Sequence, residues 1–232
     1  AFSFQSIRQV FAHSLVAFAF DGFGPFACLQ SQTHNFWARL LSSYLNDRLR
    51  YSVSDAFHTF PFPENFESDS KLEAVGREYY EFRATLMVKN NEGLTKTYNR
   101  FHDPNETSPD IQRLRKLHSA MDRAVLDAYG WQDLQPSCEF LLDYDEEEEE
   151  NEEPTRGRGR KKPWRYRWPD ELRDKLLARL LELNKNRAEE EALSGVANEP
   201  AVKKAKPAAR KPKKESDKPK YKSGAPELPF GE

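Results

Sequence analysis

The stretch that decides the fold is Leu49-Arg50-Tyr51-Ser52-Val53-Ser54-Asp55-Ala56-Phe57-His58-Thr59-Phe60-Pro61-Phe62-Pro63. Each proline lacks a backbone donor and pushes the phenylalanine before it toward extended geometry, so residues 60–63 cannot form a helix. The aromatic side chains still need burial, and they alternate imperfectly with polar residues. This pattern predicts a short strand followed by an extended segment that docks on the protein.

The residues before this stretch predict mixed structure. Residues 6–20 are rich in valine and phenylalanine, which predicts one or two buried strands that end at the turn Asp21-Gly22. Residues 25–47 predict one amphipathic helix lying against that sheet. Its apolar residues recur at spacings of three and four: Leu29, Phe36, Trp37, Leu40, Leu41, Tyr44 and Leu45.

The residues after the stretch predict helices. The pattern Ser70-x-x-Glu73 matches a capping box and opens a helix that extends to about Lys89. Ser108-Pro109-Asp110 opens a second helix, which the glycine at position 130 ends. Because about twenty residues join these helices, they are expected to pack as an antiparallel hairpin. A further helix is predicted from Pro169 to about Leu193, with a leucine face that another region must cover, and a region preceding Ala1 is the expected candidate.

Charge divides the chain into three blocks. Residues 1–142 carry 14 Lys/Arg and 17 Asp/Glu, residues 143–153 carry 9 acids and no base, and residues 154–232 carry 22 bases and 12 acids. The formal net charge of −2 is therefore a cancellation between blocks. The acidic run and the Lys/Pro/Ala-rich tail predict disorder, and the tail is expected to bind DNA non-specifically through counterion release.

The cysteines and the apolar runs bear on location. Cys28 and Cys138 are far apart and form neither a disulfide framework nor a zinc-site spacing. The longest apolar run, residues 15–20, is much shorter than a membrane span, and no signal peptide opens the chain. We therefore expect a cytoplasmic protein with no membrane partner. The chain begins at Ala1 within what reads as continuing structure, which predicts a fragment whose N-terminal part is missing.

The deciding stretch also carries a resemblance to a known family. An Arg-Tyr pair followed by Phe57-His58-Thr59-Phe60-Pro61-Phe62-Pro63 resembles the end of the target-recognition region in large restriction-modification DNA methyltransferases of the Type IIG, MmeI-like kind. The resemblance covers roughly residues 10–134. Further blocks that resemble parts of these enzymes are Leu29–Arg39, Gly93–Pro104, Leu117–Trp131 and Lys162–Asn184.

The resemblance implies a prokaryotic restriction-modification or phage-defence enzyme that transfers a methyl group from S-adenosylmethionine to an adenine amino group in duplex DNA. This chain would hold only the C-terminal recognition part, because it has no glycine-rich cofactor loop and no Asn/Asp-Pro-Pro-Tyr/Phe/Trp motif. We therefore predict no catalytic, cofactor-binding or metal-binding residue in this chain, and the missing methyltransferase domain is an expected partner. Whether the chain counts as an enzyme is left open.

The predicted fold class is α+β, and the chain is predicted to divide into five parts. It comprises the end of a target-recognition domain with mixed strands and helices (residues 1–66), a helical hairpin (67–135), an acidic and then basic linker (136–162), an aromatic-basic segment with an amphipathic helix (163–193) and a disordered tail (194–232). The alternative is a stand-alone, non-catalytic DNA-binding or protein-interaction scaffold with a basic tail.

Arginine and glutamine can read base edges or hold phosphates, so the polar residues around the deciding stretch are candidates for DNA contact. Gln30, Gln32, His34 and Asn35 are expected on the faces of the predicted helix away from its apolar side. The strip 156–163 resembles an AT-hook without its central Gly-Arg-Pro, and a linker that balances the acidic run is an equal alternative. The candidate DNA-binding residues are Arg39, Arg48, Arg50, Tyr51, Arg156, Arg158, Arg160, Lys161 and Lys162.

Two further patterns have alternatives. Trp164-Arg165-Tyr166-Arg167-Trp168 alternates aromatic and basic residues, which suits either stacking on nucleic acid or, as we favour, docking on the body of the protein. His118 and Asp122 are four residues apart on a predicted helix, where a side-chain pair is routine, and we predict no catalysis there or at His102-Asp103.

Overall fold

The computed structural model describes residues 1–6, 8, 10–12, 15–45, 48–142 and 164–194. Within that part the chain forms six α-helices, one π-helical turn at Val53–Phe57 and four short strands. The helices are α1 (Phe23–Gln30), α2 (Gln32–Leu41), α3 (Ser70–Asn90), α4 (Leu94–Phe101), α5 (Pro109–Ala128) and α6 (Asp170–Leu193). The strands are β1 (Ser43–Leu45), β2 (Arg48–Arg50), β3 (Glu139–Leu142) and β4 (Trp164–Arg167).

The strands form two separate antiparallel pairs. β1 pairs with β2, and Ser43 lies opposite Arg50. β3 pairs with β4, and Leu142 lies opposite Trp164. The described structure is therefore mostly helical with two small two-stranded sheets, which agrees with an α+β class.

Helices α3 and α5 form the predicted antiparallel hairpin. Lys71 at the start of α3 pairs with Asp127 at the end of α5 at 2.6 Å, and Lys89 at the other end of α3 pairs with Asp110 at 2.6 Å. Ser108 accepts a hydrogen bond from the backbone of Ile111, and proline occupies the first turn, as predicted for the start of α5. The apolar faces meet in one core whose fully or almost fully buried members include Leu72, Tyr79, Leu86, Ile111, Leu114, Met121 and Val125.

The predicted capping box at the start of α3 is wrong by one residue. Asp69 caps the helix, because its carboxylate accepts hydrogen bonds from the backbone of Lys71 and Leu72 at 2.8 and 3.0 Å. Glu73 instead accepts from the backbone of Phe23 and Gly24 at 2.6 and 3.1 Å. A carboxylate there satisfies donors that the N-terminus of α1 leaves unpaired, so Glu73 ties α1 to α3.

The region before the deciding stretch differs from prediction. No strand is present among the described residues of 1–22, so the predicted buried strands at 6–20 are wrong there, and Val10 and Leu15 are exposed. The helix predicted over 25–47 is two helices followed by the β1–β2 pair. The break lies at Ser31, whose extended backbone caps α2 while its hydroxyl donates to the carbonyl of Cys28 at 2.7 Å.

The extended segment at residues 60–63 docks as predicted. Phe60 is 4% exposed, and Tyr129 donates from its hydroxyl to the carbonyl of Pro61 at 2.9 Å. Helix α6 lies across the same segment, where Asn184 donates to the carbonyl of Thr59 at 2.5 Å and Arg187 donates to that of Phe62 at 2.7 Å.

The leucine face of α6 is covered by this chain itself, so the expectation of an external cover is wrong for its central leucines. Leu176 and Leu180 are fully buried. They pack in a second core with Phe36, Trp37, Phe60, Leu126, Leu134 and Trp168. Since α2, α5 and α6 all contribute to this core, α6 belongs to the folded body.

Candidate nucleic-acid interface

The β1–β2 hairpin carries two of the candidate arginines. β2 contains both Arg48 and Arg50, placed opposite Leu45 and Ser43 respectively. Arg50 is exposed and precedes Tyr51, which is half-buried. The strand thus presents Arg50 at the surface at the point where the chain enters the core.

Tyr51 is bonded to the body of the protein. Its hydroxyl lies 3.0 Å from Nε2 of His34, and its ring makes edge contacts with Phe2 and Phe18 at centroid distances of 6.5 and 6.3 Å. His34 is 2% exposed and belongs to α2. Tyr51 therefore anchors β2 to α2 and fixes the backbone from which Arg50 projects.

The two side chains of this contact, His34 and Tyr51, are uncharged at neutral pH. Burial lowers the pKa of His34 to about 4, a shift that a hydrogen bond with the backbone of Leu29 partly opposes. Burial also raises the pKa of Tyr51 to about 12. Because a buried group favours its neutral form, both rings are neutral at physiological pH.

We predict that the His34 anchor makes the fold sensitive to mild acid. In the unfolded chain histidine takes up its proton near pH 6.5, whereas folded His34 does so only near pH 4, so its contribution is complete above pH 6.5 and is lost as the pH falls toward 4. Between pH 6.5 and 5 the loss should be about 1.5 kcal/mol. Urea unfolding of the wild-type chain and of His34→Gln over this pH range measures the loss of unfolding free energy. The variant should lack this loss, and equal slopes for the two proteins would contradict the prediction.

The π-helical turn at Val53–Phe57 follows the β1–β2 hairpin and is held by hydrogen bonds. Ser52 caps the π-helical turn at 53–57 by accepting from the backbone of Asp55 at 3.3 Å, and its own backbone donates to Ser42 at 3.4 Å. Trp37 donates from its indole to the hydroxyl of Thr59 at 3.2 Å. Here the turn and the docked segment hold the outgoing end of the hairpin.

The remaining polar candidates near the hairpin differ in how far they are exposed to solvent. Arg39 lies half-buried in the last turn of α2. Gln32 and His34 are 6% and 2% exposed, so the expectation that they face DNA is wrong. Asn35 donates to the side chain of Gln32 at 2.9 Å, and Gln30 bonds within a buried cluster around Arg83. These side chains hold the interior together because the two-helix arrangement turns them inward.

The basic strip and the tail lie outside the described residues. Arg156, Arg158, Arg160, Lys161 and Lys162 therefore have no described position, and neither does the tail from residue 195 onward. The strip falls within the connection between β3 and β4. Docking of the aromatic-basic segment is confirmed for Tyr166, which packs on Phe101 at 5.6 Å, and for Trp168, which is fully buried, whereas Trp164 is 48% exposed.

Both histidines of these pairs contact other parts of the folded chain. Nδ1 of His118 lies 3.3 Å from Oδ2 of the fully buried Asp122, and the other carboxylate oxygen accepts from the backbone of Gln32 at 2.9 Å. His102 accepts from the backbone of Tyr166 at its Nδ1 atom at 3.1 Å. Asp122 therefore joins α5 to α2, and His102 joins α4 to β4. The described part of the chain contains no cluster of three His, Cys, Asp or Glu residues suited to a metal ion.

One feature that the sequence reasoning missed is Arg83. It stands four residues after Tyr79 and three before Leu86, inside the buried stripe of α3, and it is 2% exposed. A charged residue at an apolar position of a helical stripe was the available signal.

None of the described helices combines the length and the hydropathy needed to cross a membrane. Comparisons with protein-family models, with curated proteins and with solved structures give no match.

Proposed function

We propose that this chain is the C-terminal DNA-recognition part of an S-adenosylmethionine-dependent, adenine-specific DNA methyltransferase of a restriction-modification or phage-defence system, with its catalytic domain outside the chain. The observation that carries the proposal is the position of Arg50. The Arg-Tyr motif that resembles the methyltransferase family has its arginine exposed and its tyrosine anchored, and the Phe-Pro-Phe-Pro segment that follows is docked in the core.

This geometry suits recognition of duplex DNA. Arginine binds guanine edges bidentately in the major groove, and such a contact discriminates only when the side chain is held in register. The hairpin is held on one side by the bond between Tyr51 and His34, and beyond the turn by the bond between Trp37 and Thr59. The basic segments at 156–162 and 203–222 would add attraction to phosphates that is independent of sequence.

We assign the methyl transfer to the proposed full-length methyltransferase, of which this chain would be the C-terminal part. Neither a cofactor loop nor a target-base motif occurs in this sequence, so we assign S-adenosylmethionine and the flipped adenine to the domain outside the chain. The role of this chain is to place the duplex, and its side chains contribute no chemical step.

Exposed apolar residues near residue 10 support a protein partner as well. Val10 is fully exposed, and Phe11, Leu15 and Val16 are 39%, 63% and 43% exposed. Adjacent exposed apolar side chains are typical of protein interfaces. We assign this segment to contact with the methyltransferase domain. The same observation favours the alternative function, an interaction scaffold whose basic tail serves solubility.

DNA binding that is independent of the basic segments separates the two functions. Deleting residues 143–232 is unsuitable because Trp168, Leu176 and Leu180 are fully buried and their loss would open the second core. The better variant ends at Ser194 and carries glutamine at positions 156, 158, 160, 161 and 162. We expect it to keep duplex binding with a preferred sequence while the salt dependence of binding becomes shallower. Loss of all duplex affinity in this folded variant would favour the scaffold.

A further inference from the structure

Arg83 is a buried cation without a buried anion. Its guanidinium donates to the hydroxyl of Tyr98 at 3.0 Å, to the side-chain oxygen of Gln30 at 3.4 Å and to the carbonyl of Phe2 at 2.6 Å. All three acceptors are neutral. Within the described residues no ion pair joins Arg83 to a carboxylate, although a charged group removed from water is normally paired.

Aromatic rings surround the same guanidinium. Its central carbon lies 5.5 Å from the ring centroid of Phe26, 5.6 Å from that of Tyr79 and 5.5 Å from that of Tyr80. Tyr79 also bonds through its hydroxyl to that of Tyr98 at 2.8 Å. These contacts hold the guanidinium in one orientation and stabilise its charge in part, because cations are attracted to ring faces.

Arg83 lines a cleft of about 660 Å³, which is within the range of small-molecule sites. We name it the Arg83 cleft. Its apolar wall includes Tyr80, Met87 and Leu94, and its polar residues include Ser3, Gln5 and Asn91. The cleft therefore offers a flat or apolar body a surface to lie on, with hydrogen-bonding groups at its side.

The start of α4 lies at the same cleft. Gly93 and Leu94 line it, and Gly93 caps the helix without a side-chain hydrogen bond. The free N–H groups of a first helical turn favour an anion, and here they share a cleft with a buried guanidinium. Glu92 also lines the cleft, and its carboxylate shares the guanidinium of Arg100 with that of Glu106, at 3.2 and 2.7 Å, so this charge is offset in part.

We propose that the Arg83 cleft binds a small organic phosphate of the size of a nucleoside monophosphate, with the phosphate near Arg83 and the first turn of α4 and the planar part against Tyr80. This proposal does not rest on the proposed role in DNA recognition. It accounts for the buried charge, because the ligand supplies the anion that the described part of the protein lacks.

The test is calorimetric titration of the full chain with adenosine monophosphate, adenosine and inorganic phosphate. We expect the monophosphate to bind, inorganic phosphate to compete with it, and adenosine to bind at least about tenfold more weakly, since it lacks the charged acceptor. Equal binding of adenosine and its monophosphate would overturn the proposal. So would the absence of monophosphate binding at millimolar concentration.

Ala84→Glu and Thr85→Glu provide a matched pair. Ala84 lines the cleft, whereas its neighbour Thr85 is exposed on α3 outside it. Glutamate at 84 would place a carboxylate on the wall of the cleft, where it would repel a phosphate, so monophosphate affinity should fall about tenfold or more, and glutamate at 85 should leave it unchanged. An unchanged affinity in Ala84→Glu, or an equal loss in both variants, would contradict the assignment. Both substitutions place a good helix former at a helical position, so the fold should persist in both.

Discussion

Trp168→Ala is expected to lower the free energy of unfolding by about 4 kcal/mol, the largest effect of any single substitution considered for this protein. Trp168 is fully buried, and its ring meets that of Phe36 edge-on at a centroid distance of 5.6 Å. It packs in the second core with Leu176 and Leu180 of α6. Truncation to alanine would remove the apolar surface that joins the start of α6 to α2, and it would leave a cavity.

The control for this prediction is Trp164→Ala. Trp164 lies on β4, only four residues earlier, and is 48% exposed. Its removal should change stability by less than about 1 kcal/mol, because little buried surface is lost. Chemical denaturation of both variants measures the difference. A similar, small effect for the two tryptophans would contradict the placement of the segment 164–193 as part of the folded body.

Arg115→Met is the second large effect, with an expected loss of about 3 kcal/mol. Arg115 is 8% exposed and donates to the backbone carbonyls of four residues at distances between 2.8 and 3.2 Å. The four acceptors are Arg100, Phe101, Asp103 and Glu106. Methionine fills a similar volume without donors, so these carbonyls, at the end of α4 and in the turn after it, would lose their shared partner.

The same guanidinium lies over the rings of Phe140 and Tyr166, with its central carbon 4.9 and 5.4 Å from their centroids. The β3–β4 pair should therefore loosen together with the 102–106 turn, and faster amide hydrogen exchange in both places would show it. Arg113→Met is the matched control. Arg113 is on the same helix, and its side chain is 61% exposed with a 3.7 Å ion pair to Glu78, so the loss should be below about 1 kcal/mol. If both variants lost equally little unfolding free energy, the four carbonyl hydrogen bonds of Arg115 would contribute nothing to stability.

The helical half of the fold could be predicted from the sequence because local signals coincide there. In α5 a serine cap, a proline in the first turn and an apolar spacing of three and four all indicate the same helix, and the structure has it at Pro109–Ala128. The pairing of α3 with α5 followed from their lengths and connection. The cap of α3 was misplaced because Asp69 and Ser70 are adjacent and both suit the position, and only the tertiary contact of Glu73 with α1 separates them.

The first twenty residues could not be predicted in the same way. Valine and phenylalanine favour strands, yet a strand needs a partner for its backbone, and here some of the phenylalanines pack individually against aromatic rings of other segments. Phe4 packs on Phe23 at 4.9 Å, and Phe18 packs on Phe57 at 4.5 Å. Such contacts depend on distant parts of the chain, so a local pattern does not reveal them.

The candidate site was predicted in part. The motif pointed to Arg50 and Tyr51, and the structure places the first at the surface and the second in a bond to His34. That bond was hidden from the sequence, because His34 was expected to lie on an outer face of one long helix. Arg83 was missed for a related reason. One arginine in the apolar stripe of α3 looks ordinary in the sequence, because its neutral partners Gln30, Tyr98 and Phe2 are known only from the structure.

The most direct test of the proposed DNA recognition is selection of bound sequences by the full chain from a pool of randomised duplexes. We expect one preferred sequence to be enriched. Arg50→Ala should relax the preference at one or two positions, at a cost of about 1–3 kcal/mol, while Arg113→Ala should preserve it. Enrichment of no sequence, or the same preference in Arg50→Ala as in the parent, would contradict the account.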